Sequence, residues 1–440
     1  MNNFKKYLSS AAIIILMMIF TNSSINATNG YFRHGYGVKY SAMAGAGVAL
    51  SLSSIGAATN PAGIVFIDGT RFDINVALFS PSRSYTIDGN PSMYPGTFPL
   101  TPGKVESESN YFPMPTMGAS FKIQDNMSLG LIFYANGGMN SDYPAVTYYH
   151  PMAPEVSPAT GVNLEQMFFG ATFAMEVAPN HSLGVTGLFG FQRFAAKGLT
   201  AFMGFSSSPM NLTGNRWSTS TGFGARLGYM GKFSDVISFG ASYQTKMSMS
   251  EFDEYAGLFA EQGKFDIPAN WTVGVAISPN TDWTFALDGQ QILYTGVASV
   301  ANPMSLMTNS PMDQQGNPNP NFKALGTNEA WGFGWEDVMV IKFGTMFNGF
   351  EGWTFMAGYS YGKQPINETE VMFNILAPAV VEHHITFGAT KQLSNGKEVT
   401  LGFMFAPEGE VTGANPMEAP GAQNITIAMS QWQLELGFSF

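Results

Sequence analysis

The chain has 440 residues, no cysteine, 49 glycines, 14% aromatic and only 12% charged residues, and a formal charge of −11. The missing cysteines exclude a disulfide framework, a thiolate metal site and a thiol nucleophile, and the acidic balance argues against nucleic acid, which needs a basic footprint. Soluble domains carry about 25% charge, so this composition fits better with a wall whose residues face lipid and water in turn.

In chain order, residues 1–27 read as a secretory signal. Lys5 and Lys6 form the positive end, Ala11 to Phe20 is an unbroken apolar run, and Ser24-Ile25-Asn26-Ala27 offers small residues for cleavage after Ala27. Without Lys5 and Lys6 the charge is −13. The apolar run falls short of the ~20 residues a membrane helix needs, and no later stretch is longer. A secreted, hydrophobic chain without membrane helices points to a closed barrel, the other structure that satisfies its backbone hydrogen bonds in lipid.

Residues 28–70 are rich in Gly, Ala and Ser and do not alternate. They are expected to form a compact plug in the lumen; a disordered leader is the alternative. From 71 to 440, fourteen segments alternate with period two. They begin near residues 71, 110, 127, 165, 181, 216, 235, 266, 282, 335, 352, 380, 396 and 424. In the last, Trp432, Leu434, Leu436, Phe438 and Phe440 alternate with Gln431, Gln433, Glu435, Gly437 and Ser439, the pattern of a half-buried strand. Met167, Phe169, Ala171, Phe173 and Met175 form a similar outward set, as do Trp283, Phe285 and Leu287, and Val399, Leu401, Phe403 and Phe405.

Short turns are expected at Gln124-Asp125-Asn126, Pro179-Asn180, Ser234-Asp235, Pro279-Asn280-Thr281, Asn348-Gly349-Phe350 and Asn395-Gly396. Long loops are expected at 82–109, 138–164, 196–215, 249–265, 294–334, 365–379 and 409–423. The alternation of short and long connections is that of an up-and-down membrane barrel. The expected fold is therefore all-β: a fourteen-stranded antiparallel transmembrane β-barrel with an N-terminal hatch inside its lumen.

The N-terminal segment then carries a resemblance. Asn29-Gly30-Tyr31-Phe32, Met43-Ala44-Gly45-Ala46-Gly47-Val48-Ala49 and Ala58-Thr59-Asn60-Pro61-Ala62-Gly63 resemble the hatch of the FadL/TodX transporters of long-chain fatty acids and aromatic hydrocarbons, with Asn60, Pro61 and Ala62 as its motif. Ala135-Asn136-Gly137-Gly138 looks like the third-strand kink of that family, where paired glycines permit a break in the ladder. Arg193-Phe194, Gly214-Asn215-Arg216-Trp217, and Ile267-Pro268 with Trp271 are similar to the family's fifth, sixth and eighth strands. The resemblance implies a route from an external apolar groove, through a lumen site, to a sideways exit at the kink. It also implies an outer-membrane location, a lipid surround, a monomer, and no cofactor.

The lumen site so implied holds Arg193, Phe194, Tyr31 and Phe32. The groove would be built from Leu199, Phe202, Met203 and Phe205 of the third long loop and Phe252, Tyr255, Leu258 and Phe259 of the fourth. The spacing of Tyr255, Leu258 and Phe259 predicts a helical turn with one apolar face; exposed apolar patches mark interaction sites, and mutual packing of the two loops is the alternative. Arg193 could hold a carboxylate or pair with an acidic neighbour. Fatty-acid members carry a second basic residue before the tenth strand, where this chain has Trp331, with Lys323 and Lys342 nearby but out of place, so neutral alkanes or monoaromatics stay open as ligands. None of the five histidines has metal-ligand spacing, and His384 lacks a defined serine partner, so neither catalytic nor metal residues are expected. A general porin and an adhesin or phage-receptor barrel are the competing readings.

Overall fold

The computed structural model describes residues 29–94, 97–149, 157–307, 311–312, 317 and 319–440; the expected signal, residues 1–27, lies outside them. Fourteen strands form the ring: β1 Thr70–Gly89, β2 Phe112–Gln124, β3 Met127–Asn140, β4 Gly161–Ala178, β5 His181–Lys197, β6 Ser218–Lys232, β7 Ile237–Gln244, β8 Asn270–Ile277, β9 Trp283–Ile292, β10 Val338–Phe350, β11 Trp353–Gly362, β12 His383–Gln392, β13 Glu398–Ala414 and β14 Gln423–Ser439. Each pairs antiparallel with its chain neighbours, and β14 returns to β1 from Asp73↔Ser439 to Gly89↔Gln423. Closure pairs each strand on both sides over most of its length, which keeps polar backbone from lipid there. Two shorter strands, Gly103–Glu106 and Ser248–Met249, attach to β1 and β6 from loops.

Every strand begins within about four residues of its expected place, because the period-two signal is strong wherever one face meets lipid. Leu434, Leu436, Phe438 and Phe440 are exposed, whereas Gln431, Gln433, Glu435 and Ser439 are buried. The same split places Phe169, Phe173, Leu287 and Leu401 outside and Phe168, Thr172, Asp288 and Thr400 inside.

Several boundaries differ from expectation. β1 extends to Gly89, and β13 and β14 reach Ala414 and Gln423, so the loops expected at 82–109 and 409–423 are partly strand. These strands outrun the ~10 residues a bilayer needs and continue outside it. The turn expected at 348–350 is instead Glu351-Gly352: β10 runs through a bulge between Phe347 and Phe350, and Gly352 supplies the positive φ of 70°.

Residues 29–69 lie within the ring. They form one short helix, Val38–Ser41, and two 3-10 turns, Ser54–Ala58 and Pro61–Phe66. Their polar contacts reach strands on every side. Ser54 N donates to Asp73 on β1 at 2.7 Å, and Arg33 donates to Thr116 on β2 at 3.1 Å and Glu435 on β14 at 3.3 Å. Gly47 N and Val48 N donate to Asp288 on β9 at 2.7 and 2.9 Å, Lys342 on β10 donates to His34 O at 2.9 Å, and Lys39 pairs with Glu398 on β13 at 2.6 Å.

The Asn-Pro-Ala element gains a physical role in this setting. Asn60 caps the second 3-10 turn by accepting from Ala62 N at 3.1 Å, with Pro61 at the first position, where its missing N–H costs nothing. Its amide also donates to Val48 O at 2.7 Å and to Tyr229 O on β6 at 2.8 Å. The wall is correspondingly thin there: a Cβ at Gly228 would stand 2.1 Å from Asn60 Oδ1.

Candidate functional site

The ring has one interruption in its pairing near the third strand. The β2–β3 ladder ends at Thr116↔Tyr134, yet β2 continues along β1 to Phe79↔Phe112. On β3 the register with β4 slips between Ala135 and Gly137, leaving Asn136 as the extra, bulged residue. Its side chain points inward, accepting from Tyr36 OH at 2.7 Å and donating to Gln166 at 3.1 Å.

Above the bulge, the edge of β3 pairs with the interior segment rather than with β2. Phe32 bridges Gly137, Arg33 N donates to Asn136 O at 3.1 Å, and Gly138 N donates to Tyr31 O at 3.2 Å. The glycines are required by this close approach: a Cβ at Gly137 would come 1.7 Å from Tyr31 O, and one at Gly138 2.2 Å from Leu164 O. The facing stretch of β2, residues 112–115, has no strand on that side, and its prolines Pro113 and Pro115 are the residue type tolerated on such an edge. At ~3.4 Å per residue, the unpaired window is about 13 Å tall.

A cavity of about 450 Å³ meets this window, within the usual range for small-molecule sites. Phe79, Phe112, Met114, Met139, Met404 and Met429 give it an apolar lining, and Tyr31 and Phe32, stacked at 5.4 Å, border it from the interior segment. Its polar groups include His384, Gln431, Gln433, Arg33 and Arg83, with Glu165 and Arg193 on the exposed face of the wall.

The structure thus brings together Tyr31, Phe32, Ala135, Gly137 and Gly138 from the expected sites. Arg193 borders the same cavity from its outer side, whereas Phe194 does not line it. Gln192 and Phe194 are buried, so alternation turns Arg193 outward, against the expectation of a lumen residue. Arg193 makes a two-pronged ion pair with Glu165, at 2.8 and 3.0 Å, and its guanidinium lies 4.5 Å from the ring centre of Trp217. Phe194 faces inward but borders a separate gap of about 30 Å³, with Leu258, Phe259, Trp331 and Phe373.

The loop residues expected to form an open groove are mostly enclosed. Leu199, Phe202, Phe252, Tyr255, Leu258 and Phe259 are buried, with Met203 and Phe205 partly so. Phe194 packs 4.7 to 5.6 Å from Phe252, Tyr255 and Phe259, and Phe202 packs 5.3 Å from Phe373 and 5.9 Å from Trp331. The third and fourth loops therefore make an apolar cap over the barrel. Tyr255 ends one 3-10 turn, and the helix after it is only Ala260–Gly263, so the helical face predicted from spacing is a pair of turns.

Sequence reasoning missed Arg83, which fell inside a segment expected to be loop; the signal was the continued alternation of Phe79, Pro81, Arg83, Tyr85 and Ile87 on the inner face of β1. His384 faces the lumen. Its ring stacks on His34 at 5.3 Å, with Ser360 Oγ 3.3 Å from Nδ1 and the Gln431 amide 3.0 Å from Nε2. A hydrolytic triad orients its base with a carboxylate, and an amide stands in that place here. No cluster of three metal-ligating side chains occurs among the described residues.

A family model described as outer membrane protein transport protein (OMPP1/FadL/TodX) matches residues 23–423. No curated protein matches. Among solved structures, the chain is similar to a FadL homologue of Pseudomonas aeruginosa, with a TM-score of 0.67 at 15% identity over 93% of this chain and 99% of that one. It is also similar to the toluene transporter TodX of P. putida (TM-score 0.64, 16% identity, 92% and 98% covered) and to the toluene transporter TbuX of Ralstonia pickettii (0.59, 15%, 92% and 98%). At these identities the solved structures speak to the fold.

Proposed function

Because the chain belongs to the outer membrane protein transport family OMPP1/FadL/TodX, whose members carry hydrophobic compounds across the outer membrane, we propose that it is a passive channel that delivers such molecules sideways into the membrane. Fatty acids, alkanes and monoaromatics are the ligand classes in view. A ligand lands on the apolar cap at its partly exposed members Met203 and Phe205, and enters where the packing of Leu199, Phe202, Phe252, Tyr255, Leu258 and Phe259 gives way. It passes the gap beside Phe194 and settles against Tyr31 and Phe32. It leaves between β2 and β3, at Ala135 to Gly138. Residues 29–69 act as the hatch, held by Asn60, Pro61 and Ala62.

The observation that carries this reading is an apolar cavity that borders a break in the wall while the lumen below it is filled. A polar porin needs the reverse, an open aqueous lumen. The test uses cells producing the full protein, and liposomes containing it. Cells should take up labelled oleate or toluene faster than cells without the protein, and liposomes should not swell in sugars. Sugar swelling without hydrophobic uptake would favour the porin.

A further inference from the structure

A row of polar side chains crosses the inner face of the wall at the height of the bulge. Tyr36 OH of the interior segment donates to Asn136 Oδ1 at 2.7 Å, Asn136 Nδ2 to Gln166 Oε1 on β4 at 3.1 Å, and Gln166 Nε2 to Gln192 Oε1 on β5 at 3.0 Å. Gln192 Nε2 then donates to Phe265 O, in the fourth long loop, at 2.8 Å and to Ser220 Oγ on β6 at 3.2 Å. Asn136, Gln166, Gln192 and Ser220 are fully enclosed, and none of their side-chain polar atoms lacks a partner.

The two glutamines stand out against their neighbours. On the ladder between β4 and β5, Gln166 faces Gln192, with Leu164 facing Phe194 on one side and Phe168 facing Gly190 on the other. Two amides in such surroundings cost stability unless every hydrogen bond is made, and the wall itself would be served as well by apolar side chains. The direction of the row is set at its cap end. A carbonyl only accepts, so Gln192 turns its NH2 to Phe265 O and its oxygen to Gln166. The same polarity passes along to Asn136, whose oxygen is left for Tyr36.

Each end of the row meets a part of the transport path. The Phe265 ring lies 5.0 Å from Phe259, which packs 4.7 Å from Phe194 beside the small gap under the cap. At the other end, the free edge of β2 would satisfy its backbone in lipid by pairing with β3, and that pairing requires Asn136 to leave its bulged, inward position. We infer that Gln166 and Gln192 are positioning residues for sideways exit: their amide row holds Asn136 inward, keeps β3 off β2, and ties the window to the fourth loop of the cap. This rests on the transport reading above and adds to it the device that keeps the exit open.

The test compares uptake with binding. Gln192 does not line the cavity, so Gln192→Met, which keeps the size of the side chain and removes its hydrogen bonds, cuts the row without touching the ligand. Uptake of labelled oleate by cells producing the full protein at wild-type levels should fall about tenfold, the factor by which one buried hydrogen bond shifts a conformational population. Oleate affinity of the purified protein should stay unchanged. Asn136→Ala should give the same loss, and the double variant no further loss, because both substitutions cut one row. Thr172→Val removes a 2.7 Å hydrogen bond to Thr186 further down the same two strands and should leave uptake unchanged. Should Gln192→Met not reach the membrane, Gln166→Met cuts the row at the next joint and carries the same uptake comparison. Uptake at the wild-type rate by Gln192→Met would overturn the inference and leave the channel reading standing. So would losses that add in the double variant, an equal loss in Thr172→Val, or a fall in affinity that accounts for the fall in uptake. Wild-type uptake no faster than in cells lacking the protein would overturn both readings.

Discussion

Arg193 and Arg83 show how one residue of phase decides chemistry. Arg193 has the company of a binding residue in sequence, next to Phe194 and level with the kink, yet alternation sets it on the outer face. There it is about half exposed and already paired with Glu165. Exposed ion pairs contribute roughly 0–1 kcal/mol. Arg193→Gln is therefore expected to change oleate or toluene affinity less than about threefold, measured by titration of the purified protein; a larger loss would return Arg193 to the binding site. Arg83 was illegible for the opposite reason. Residues 80–84 read Ser-Pro-Ser-Arg-Ser, turn-like by composition, which masks the alternation of Phe79, Pro81, Arg83, Tyr85 and Ile87 that the ladder to β14 carries through them. Residue-level roles fail from sequence wherever strand phase or strand end is uncertain by one or two places.

At the scale of elements, legibility was far better. A strand between lipid and lumen must alternate, so the outer faces of β4, β9, β13 and β14 could be read directly. The interior segment has no such period: its conformation follows from wall contacts, and its location was expected only from small-residue content and family resemblance. Its fit depends on glycines in the wall. Gly228 faces Asn60 and Pro61 so closely that a Cβ would also stand 2.7 Å from Pro61 Cδ. Gly228→Val should therefore free the segment without opening the ring, since the strands on both sides keep their ladders. The measurement is limited proteolysis: cleavage within residues 29–69 should rise sharply while the strands stay protected. Wild-type protection of that segment would show that the wall yields instead.

For the whole molecule, the main inference is that lumen and transport path are different spaces. Residues 29–69 fill the lumen by bonding to strands around the ring, while the cavity sits beside them and borders the wall. Removing residues 29–69 is expected to turn the barrel into a pore: liposomes holding the shortened chain should swell in sugars, and those holding the full chain should not. Equal swelling of both would mean that the segment does not seal the lumen. The remaining element is the bulge itself. Asn136 is the one residue of β3 without a place in the β4 register, and deleting it should let the strand straighten toward β2 and close the window. The decisive measurement is uptake of labelled oleate by cells producing the Asn136 deletion at wild-type levels, with purified protein checked for oleate binding. Sideways delivery predicts retained binding and uptake no faster than in cells lacking the protein. Uptake at the wild-type rate from a barrel with the bulge removed would contradict it and send the ligand through the lumen instead.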